Sequence, residues 1–449
     1  MNSQDHRPRA VLVGVQFPEV PDGDHQSSLD ELARLADTLG LRVIGRVTQK
    51  RGSLATAAVV GEGKLREIAA FTGGSGVVPA YSTPKARRED DENEEPSSKL
   101  PPPTPLDPEE RASVVLVNHD LTPTRTRNLE RATSAEVLDR TAVILAIFQR
   151  HARTREARLQ VEIARLKYLA PRLRETSGGD RQGGGIGGKG AGESQIQLDR
   201  RKNRDRVAEL QRELDAIEHE AGTRRKRRAR HDTVALVGYT NAGKSSLMRA
   251  LTGSEILVAD QLFATLDTTV RTLKPETHPR ILVSDTVGFI RDLPHDLVAS
   301  FRSTLEEARD ASLLLHVVDA ADLAHEAQYE VTRAVLAEIG AGDEPSLLLL
   351  NKIDRVDEAV RAALRERHPD AVQLSAKDPA DVAALHERIV AFFERDMVED
   401  EVVVPFRDHK LVAEIHASCR VLSESYDESG TRVRIRARRE VLDRVRAGL

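Results

Sequence analysis

Short apolar runs alternate with longer, periodically apolar stretches through the opening 140 positions of the chain. The runs at 10–15, 41–47, 57–60 and 114–117 are compact and partly β-branched, the pattern of buried strands. Between them, 29–39 places Leu29, Leu32, Ala33, Leu35, Ala36 and Leu39 on one side of a helix, with Ser28 as its cap and Gly40 as its stop. A short helix is expected up to Ala70 and another over 123–132, followed by a strand at 136–138. Strands alternating with helices predict a small parallel α/β domain over 1–140. Gly61-Glu62-Gly63-Lys64 is too short for a phosphate loop and reads as a turn before a helix.

The rhythm then becomes helical. Ile144, Ile147, Phe148, Leu159, Ile163 and Leu166 recur at mostly three- and four-residue steps over 141–169. Val207, Leu210, Leu214 and Ile217 form a heptad seam within a second helix at 195–221. Two such helices joined by a loop predict an antiparallel hairpin over 141–230. The joining loop, 177–192, holds nine glycines. Its formal G-x-G-x-x-G matches lack the preceding strand that a dinucleotide fingerprint needs. Arg172, Arg174, Arg200, Arg201, Lys202 and Arg204 flank it, and 224–230 adds six more cations. This arm is expected either to meet RNA backbone or to serve as a plain linker.

Composition changes the picture in three places. Charged residues reach 31% and aromatics 3%, which favours a helix-rich chain of several domains. The net charge of −5 conceals blocks, among them an acidic run at 89–95. That run and Pro101-Pro102-Pro103 lie in 71–112, which reads as a disordered insertion because it buries too little apolar surface to offset chain entropy. Cys419 is the single cysteine, so neither a disulfide framework nor a cysteine zinc site fits within the chain. The polar N-terminus and the lack of any run near ~20 apolar residues predict a cytoplasmic protein with no membrane anchor.

The chemistry is concentrated in 231–397. Gly238, Tyr239, Thr240, Asn241, Ala242, Gly243, Lys244 and Ser245 match G-x-x-x-x-G-K-[ST], between an apolar strand at 233–237 and a helix. Backbone N–H groups of such a loop cradle phosphates, Lys244 reaches the β- and γ-phosphates, and Ser245 offers a hydroxyl to Mg²⁺. Asp285, Thr286, Val287 and Gly288 form D-x-x-G after a second apolar strand, placing a carboxylate near the metal and the Gly288 N–H near the γ-phosphate. Asn351, Lys352, Ile353 and Asp354 form N-K-x-D after a third. A carboxylate at Asp354 accepts from guanine N1–H and N2–H₂, and adenine would leave it unpaired. Ser375, Ala376 and Lys377 match the turn whose backbone N–H reads guanine O6. The four motifs in this order predict a GTP hydrolase. Thr265, Thr268 and Thr269 compete on spacing for the threonine that meets Mg²⁺ when a γ-phosphate is present. Phe289 follows the D-x-x-G glycine, where many small GTPases carry a water-orienting Gln nearby. Unaided hydrolysis is therefore expected to be slow.

The chain resembles the HflX family of translation-factor-related GTPases. The resemblance is carried by Gly61-Glu62-Gly63-Lys64, Asn128-Leu129-Glu130, Asp139-Arg140-Thr141, Arg153-Thr154-Arg155-Glu156, Leu159-Gln160-Val161-Glu162, Gly192-Glu193-Ser194-Gln195, Asp199-Arg200-Arg201 and the stretch from Asp260 to Asp267. It implies that Thr265 is the switch threonine and a Mg²⁺ ligand with Ser245, and that Lys244, Thr265 and Gly288 carry catalysis. It adds Phe263, Ala264, Leu266 and Asp267 to the nucleotide contacts. It further implies binding to the large ribosomal subunit and its rRNA as a monomer, no DNA partner, ribosome-stimulated hydrolysis, and the splitting or rescue of stalled ribosomes under stress. Thr268 stands where proline is usual and Ser194 where threonine is usual; neither change removes a ligand. The alternative is a nucleotide-regulated rRNA-binding or RNA-remodelling protein in which hydrolysis is incidental. The fold expected is α/β throughout: a P-loop GTPase domain preceded by an α/β domain and a helical hairpin, with a small α/β domain over 398–449 whose basic strand face would dock.

Overall fold

Strand β1 (Arg9–Gln16) is an almost unbroken apolar run, and it lies in the middle of a four-stranded parallel sheet. The order is β2 (Arg42–Lys50), β1, β3 (Val114–Val117), β4 (Glu136–Asp139). Helices α1 (Asp22–Thr38), α2 (Glu62–Thr72) and α3 (Pro123–Thr133) connect these strands. Val11, Val13, Val15, Val115 and Val117 build the core with Ile68 and Leu129 from α2 and α3. The computed structural model describes residues 6–54, 57–78, 107–172, 195–228, 231–254, 262–263, 269–291 and 307–448.

Several sequence expectations shift. Helix α1 starts at Asp22 rather than near 29, so Ser28 lies inside the helix, where it accepts from Asn118 Nδ2. The strand expected at 57–60 is a buried turn: Val59 has φ 70°, and the Val60 N–H closes on Ala58 O at 2.7 Å. The insertion expected over 71–112 is narrower, because Thr72 ends α2 and Ala112 joins the core; residues 79–106 lie outside the described ones. The single helix expected over 141–169 is two, α4 (Arg140–His151) and α5 (Arg155–Leu169). The Asp139 carboxylate caps the first and the Thr154 hydroxyl the second.

Helix α6 (Gln195–Arg228) runs antiparallel to α5. Leu166 O accepts from Asn203 Nδ2 at 3.1 Å, Glu162 meets Arg206 at 3.1 Å, and Glu213 meets Arg155 at 2.8 Å. Leu210 and Leu214 of the seam are buried. The glycine loop at 177–192 lies outside the described residues. Arg172, one of the basic residues flanking that loop, points inward. Its guanidinium donates to Asp139 at 2.7 Å, to Leu121 O at 2.9 Å and to Tyr168 O at 3.0 Å, and it stacks 3.4 Å from the Tyr168 ring centre. Asp139 also accepts from Tyr168 Oη at 2.8 Å and from the Leu121 and Ala142 N–H groups. Burial still pushes its carboxyl above the usual range.

The described residues divide into two units, those up to 215 and those from 216 on. In the second, a six-stranded sheet has the order β10 (Val372–Gln373), β9 (Ser346–Asn351), β8 (Leu313–Asp319), β5 (Asp232–Gly238), β7 (Ile281–Asp285), β6 (Thr269–Thr272). All neighbours are parallel except β6 with β7. Helices α7 (Lys244–Thr252), α8 (His325–Glu338), α9 (Glu358–Arg367) and α10 (Pro379–Glu394) belong to the same unit. Beyond them, β11 (Val398–Val404), β12 (Arg420–Asp427) and β13 (Gly430–Ala437) form an antiparallel sheet with β13 central. Helices α11 (His409–Ser418) and α12 (Arg439–Ala447) share its core. Helix α11 stops at Ser418, and β12 takes over at Arg420. The expected basic face is balanced by acids: Arg432 pairs with Glu401 and Asp427, and Arg434 and Arg436 pair with Glu399. Among the described residues, no helix is long and apolar enough to cross a membrane.

Candidate nucleotide-binding site

Strand β5 delivers the phosphate-loop motif at the C-terminal edge of the sheet, where open α/β sheets bind ligands. Val234, Ala235, Leu236 and Val237 are fully buried and fix the strand. Two glycines are then obligatory. A Cβ on Gly238 would stand 2.2 Å from Val317 O, and one on Gly243, whose φ is 99°, would stand 2.3 Å from Asn351 Nδ2. Helix α7 begins at Lys244 and turns its N-terminal amides toward the loop. Lys244 Nζ donates to Gly238 O at 3.0 Å and to Tyr239 O at 2.8 Å. Burial pulls its ammonium down to about 8, against the pull of Asp285.

Ser245 Oγ donates to Asp285 Oδ2 at 2.8 Å, joining the first two motifs. Thr286 turns away from this meeting point; its hydroxyl donates to Leu236 O at 2.7 Å and ties β7 to β5. Gly288 lies so close to the loop that a Cβ would be 2.8 Å from Thr240 Cγ2 and 3.0 Å from Lys244 Nζ. Phe289 is buried, and its backbone pairs with the loop: its N–H donates to Gly238 O at 3.1 Å, and its carbonyl accepts from the Thr240 N–H at 2.8 Å. Tyr239 Oη accepts from the Arg291 N–H at 2.6 Å.

The motifs at 351–354 and 375–377 converge on Asn351, which is 1% exposed. Its Nδ2 donates to Ala242 O at 2.8 Å, and its Oδ1 accepts from the Ala376 N–H at 3.1 Å. One amide thus braces the phosphate loop against the Ser375-Ala376-Lys377 turn. A guanine O6 would compete with Asn351 Oδ1 for that Ala376 N–H. Ser375 Oγ donates to Asp354 Oδ1 at 2.8 Å, and this bond holds the Asp354 carboxyl below its usual range. The acid is therefore ionised at neutral pH. Lys352, in the left-handed region at φ 59°, donates to Asn241 O and to Asp319, both at 2.7 Å. Ile353 is buried behind the turn. A cleft of about 570 Å³ opens beside Asp354, Ser375 and Lys377.

The described residues bring together the phosphate loop, 285–288, 351–354 and 375–377. Phe263 is buried at φ 59°, whereas Ala264, Thr265, Leu266, Asp267 and Thr268 lie outside the described residues, and Thr269 opens β6. Two acids in the site escaped the sequence reading. Asp381 accepts from the Ser375 N–H at 2.7 Å, and Asp319 ends β8 beside Lys352. The visible signal for Asp319 was a carboxylate closing an apolar strand; for Asp381 there was none.

Three family models match the chain: a GTP-binding GTPase N-terminal region at 26–78 and 106–149, a GTP-binding GTPase middle region at 151–228, and a 50S ribosome-binding GTPase at 233–352. A protein described as GTPase HflX from Gluconacetobacter diazotrophicus is 58% identical over 100% of this chain and 99% of its own. One of the same description from Escherichia coli is 37% identical over 97% of this chain and 94% of its own. A solved GTP-binding protein from Sulfolobus solfataricus in complex with GDP is 23% identical, covers 85% of this chain and 97% of its own, and has a TM-score of 0.44.

Proposed function

The chain belongs to the HflX family of GTPases, and from that premise we propose that this GTP hydrolase acts on the large ribosomal subunit, splitting or rescuing stalled ribosomes. The Asn351-centred junction supports the nucleotide half of this reading, since it links phosphate and guanine recognition through one buried amide. The family model describing a 50S ribosome-binding GTPase over 233–352 supports the ribosomal half.

Magnesium suits the donor set. Ser245 Oγ and the Asp285 carboxylate are hard oxygen donors that meet at 2.8 Å. Ser245 and Thr265 would ligate the ion, with Asp285 holding it through water. The ion would neutralise charge that develops between the β- and γ-phosphates. Lys244 and the Gly288 N–H would hold the γ-phosphate, and Asp354 would select guanine. Phe289 is buried and offers no polar atom from its side chain to orient water. We therefore assign slow hydrolysis to the isolated protein and acceleration to the subunit, which reorganises 285–291 or adds the missing group.

Sedimentation of ribosomes with the protein and a non-hydrolysable GTP analogue tests the reading. The expected result is co-migration with the large subunit, together with multiple turnover of GTP that the Lys244→Ala variant lacks. Equal migration with the analogue and without nucleotide, at an unstimulated hydrolysis rate, would overturn it.

A further inference from the structure

We infer that Asp319 is a positioning residue for guanine-nucleotide retention, acting through Lys352. Asp319 closes β8 in register with Asn351 on β9, and the Ala320 N–H donates to Asn351 O at 2.9 Å, so the two strand ends are locked side by side. Its two carboxylate oxygens do different work. Oδ1 accepts from the Ala321 N–H at 3.0 Å and sets the turn after the strand. Oδ2 accepts from Lys352 Nζ at 2.7 Å, and both side chains are only 15% exposed.

The same ammonium reaches the Asn241 carbonyl of the phosphate loop, also at 2.7 Å. A lysine stem has four flexible torsions, and it stays in one path only when its head has fixed acceptors. Here two acceptors pin it. The stem passes Gly243, with Cε 3.8 Å from where a Cβ on that residue would stand. On the proposed reading of the pocket, this apolar stem is the floor against which a planar base would lie. With Asp319 neutralised, Lys352 keeps one acceptor, its head is drawn toward water, and the floor and the loop loosen together. Asp319 acts through Lys352 and not on a phosphate group, so diphosphate and triphosphate are expected to lose affinity by the same factor.

The inference rests on the guanine reading of this pocket, and the experiment separates the two. Dissociation of fluorescently labelled GDP and GTP from the full chain is followed by stopped flow. Asp319→Asn keeps the oxygen that sets the turn and loses the anion; Lys352→Met keeps the stem and loses the ammonium. Each is expected to dissociate both nucleotides about tenfold faster. The KM for GTP rises by a similar factor with kcat within twofold, and the double variant is no faster than either single one. Parent-like dissociation from Asp319→Asn, or multiplied effects in the double variant, overturns the inference and leaves the pocket standing. A parent chain that binds neither nucleotide overturns both. Should Asp319→Asn fail to fold, Asp319→Ser supplies the turn acceptor and takes its place.

Discussion

His316 shows how a single residue of the nucleotide-binding unit carries a readable cost. It is 6% exposed on β8, packs edge-on to Tyr329 at 5.4 Å, and among the described residues has no hydrogen-bond partner at Nδ1. Burial, aided by Arg333, lowers its imidazole to about 4. The unfolded chain takes up this proton near pH 6.5, whereas the folded chain refuses it until about pH 4. Its contribution to stability is therefore complete above pH 6.5 and drains away as pH falls toward 4. We expect the GDP-responsive thermal transition of His316→Leu to fall less steeply than the parent's over that interval. Parallel curves would show that the imidazole is not the titrating group. At the same scale, the four nucleotide motifs were legible because each is a short string at a strand end. Asp319 and Asp381 were not, since their meaning depends on which turn faces them across the fold.

Elements obey the same division between local and tertiary information. Helices α4 and α5 announced themselves through spacing, but the break between them depends on caps at Asp139 and Thr154 that polar side chains alone do not reveal. The run at 57–60 looked like a strand because burial and pairing leave the same apolar signature; Val59 is buried without joining a sheet. Strand β12 hid for the opposite reason, since most of its positions are exposed at a sheet edge. Asp139 is the strongest case of an element junction. It joins the end of β4, the start of α4, the loop at Leu121 and the far end of α5. Replacing it by Asn leaves the buried part of Arg172 without its anion, at a cost of about 3 kcal/mol. Urea unfolding followed by hydrogen exchange at Leu121 and Ala142 would measure it. Protection equal to the parent's at both amides would exclude the junction.

For the whole molecule, the hairpin and the nucleotide site separate in sequence: α5 and the part of α6 up to 215 fall in one unit, and the guanine and phosphate motifs in the other. Replacing 178–190 by a short linker should leave nucleotide affinity within twofold of the parent while impairing subunit dissociation. Light scattering of ribosomes, with nucleotide binding measured in parallel, gives both readings. Intact dissociation would assign the loop to a linker role. The hydrophobic period changes at 141 and again at 231, whereas the two compact units part at 215, inside α6. The charge balance of the C-terminal sheet was not legible in the sequence: Glu399 and Glu401 lie more than 30 positions from their arginines and meet them only through strand pairing.

Asn351 stands between the phosphate loop and the 375–377 turn, and its amide donates to the one and accepts from the other. On the proposed reading, grip on the triphosphate and recognition of the base share this one mechanical part, so softening one softens the other. A variant selected for faster nucleotide exchange should pay in heat tolerance, and saturating GDP should restore most of what it lost.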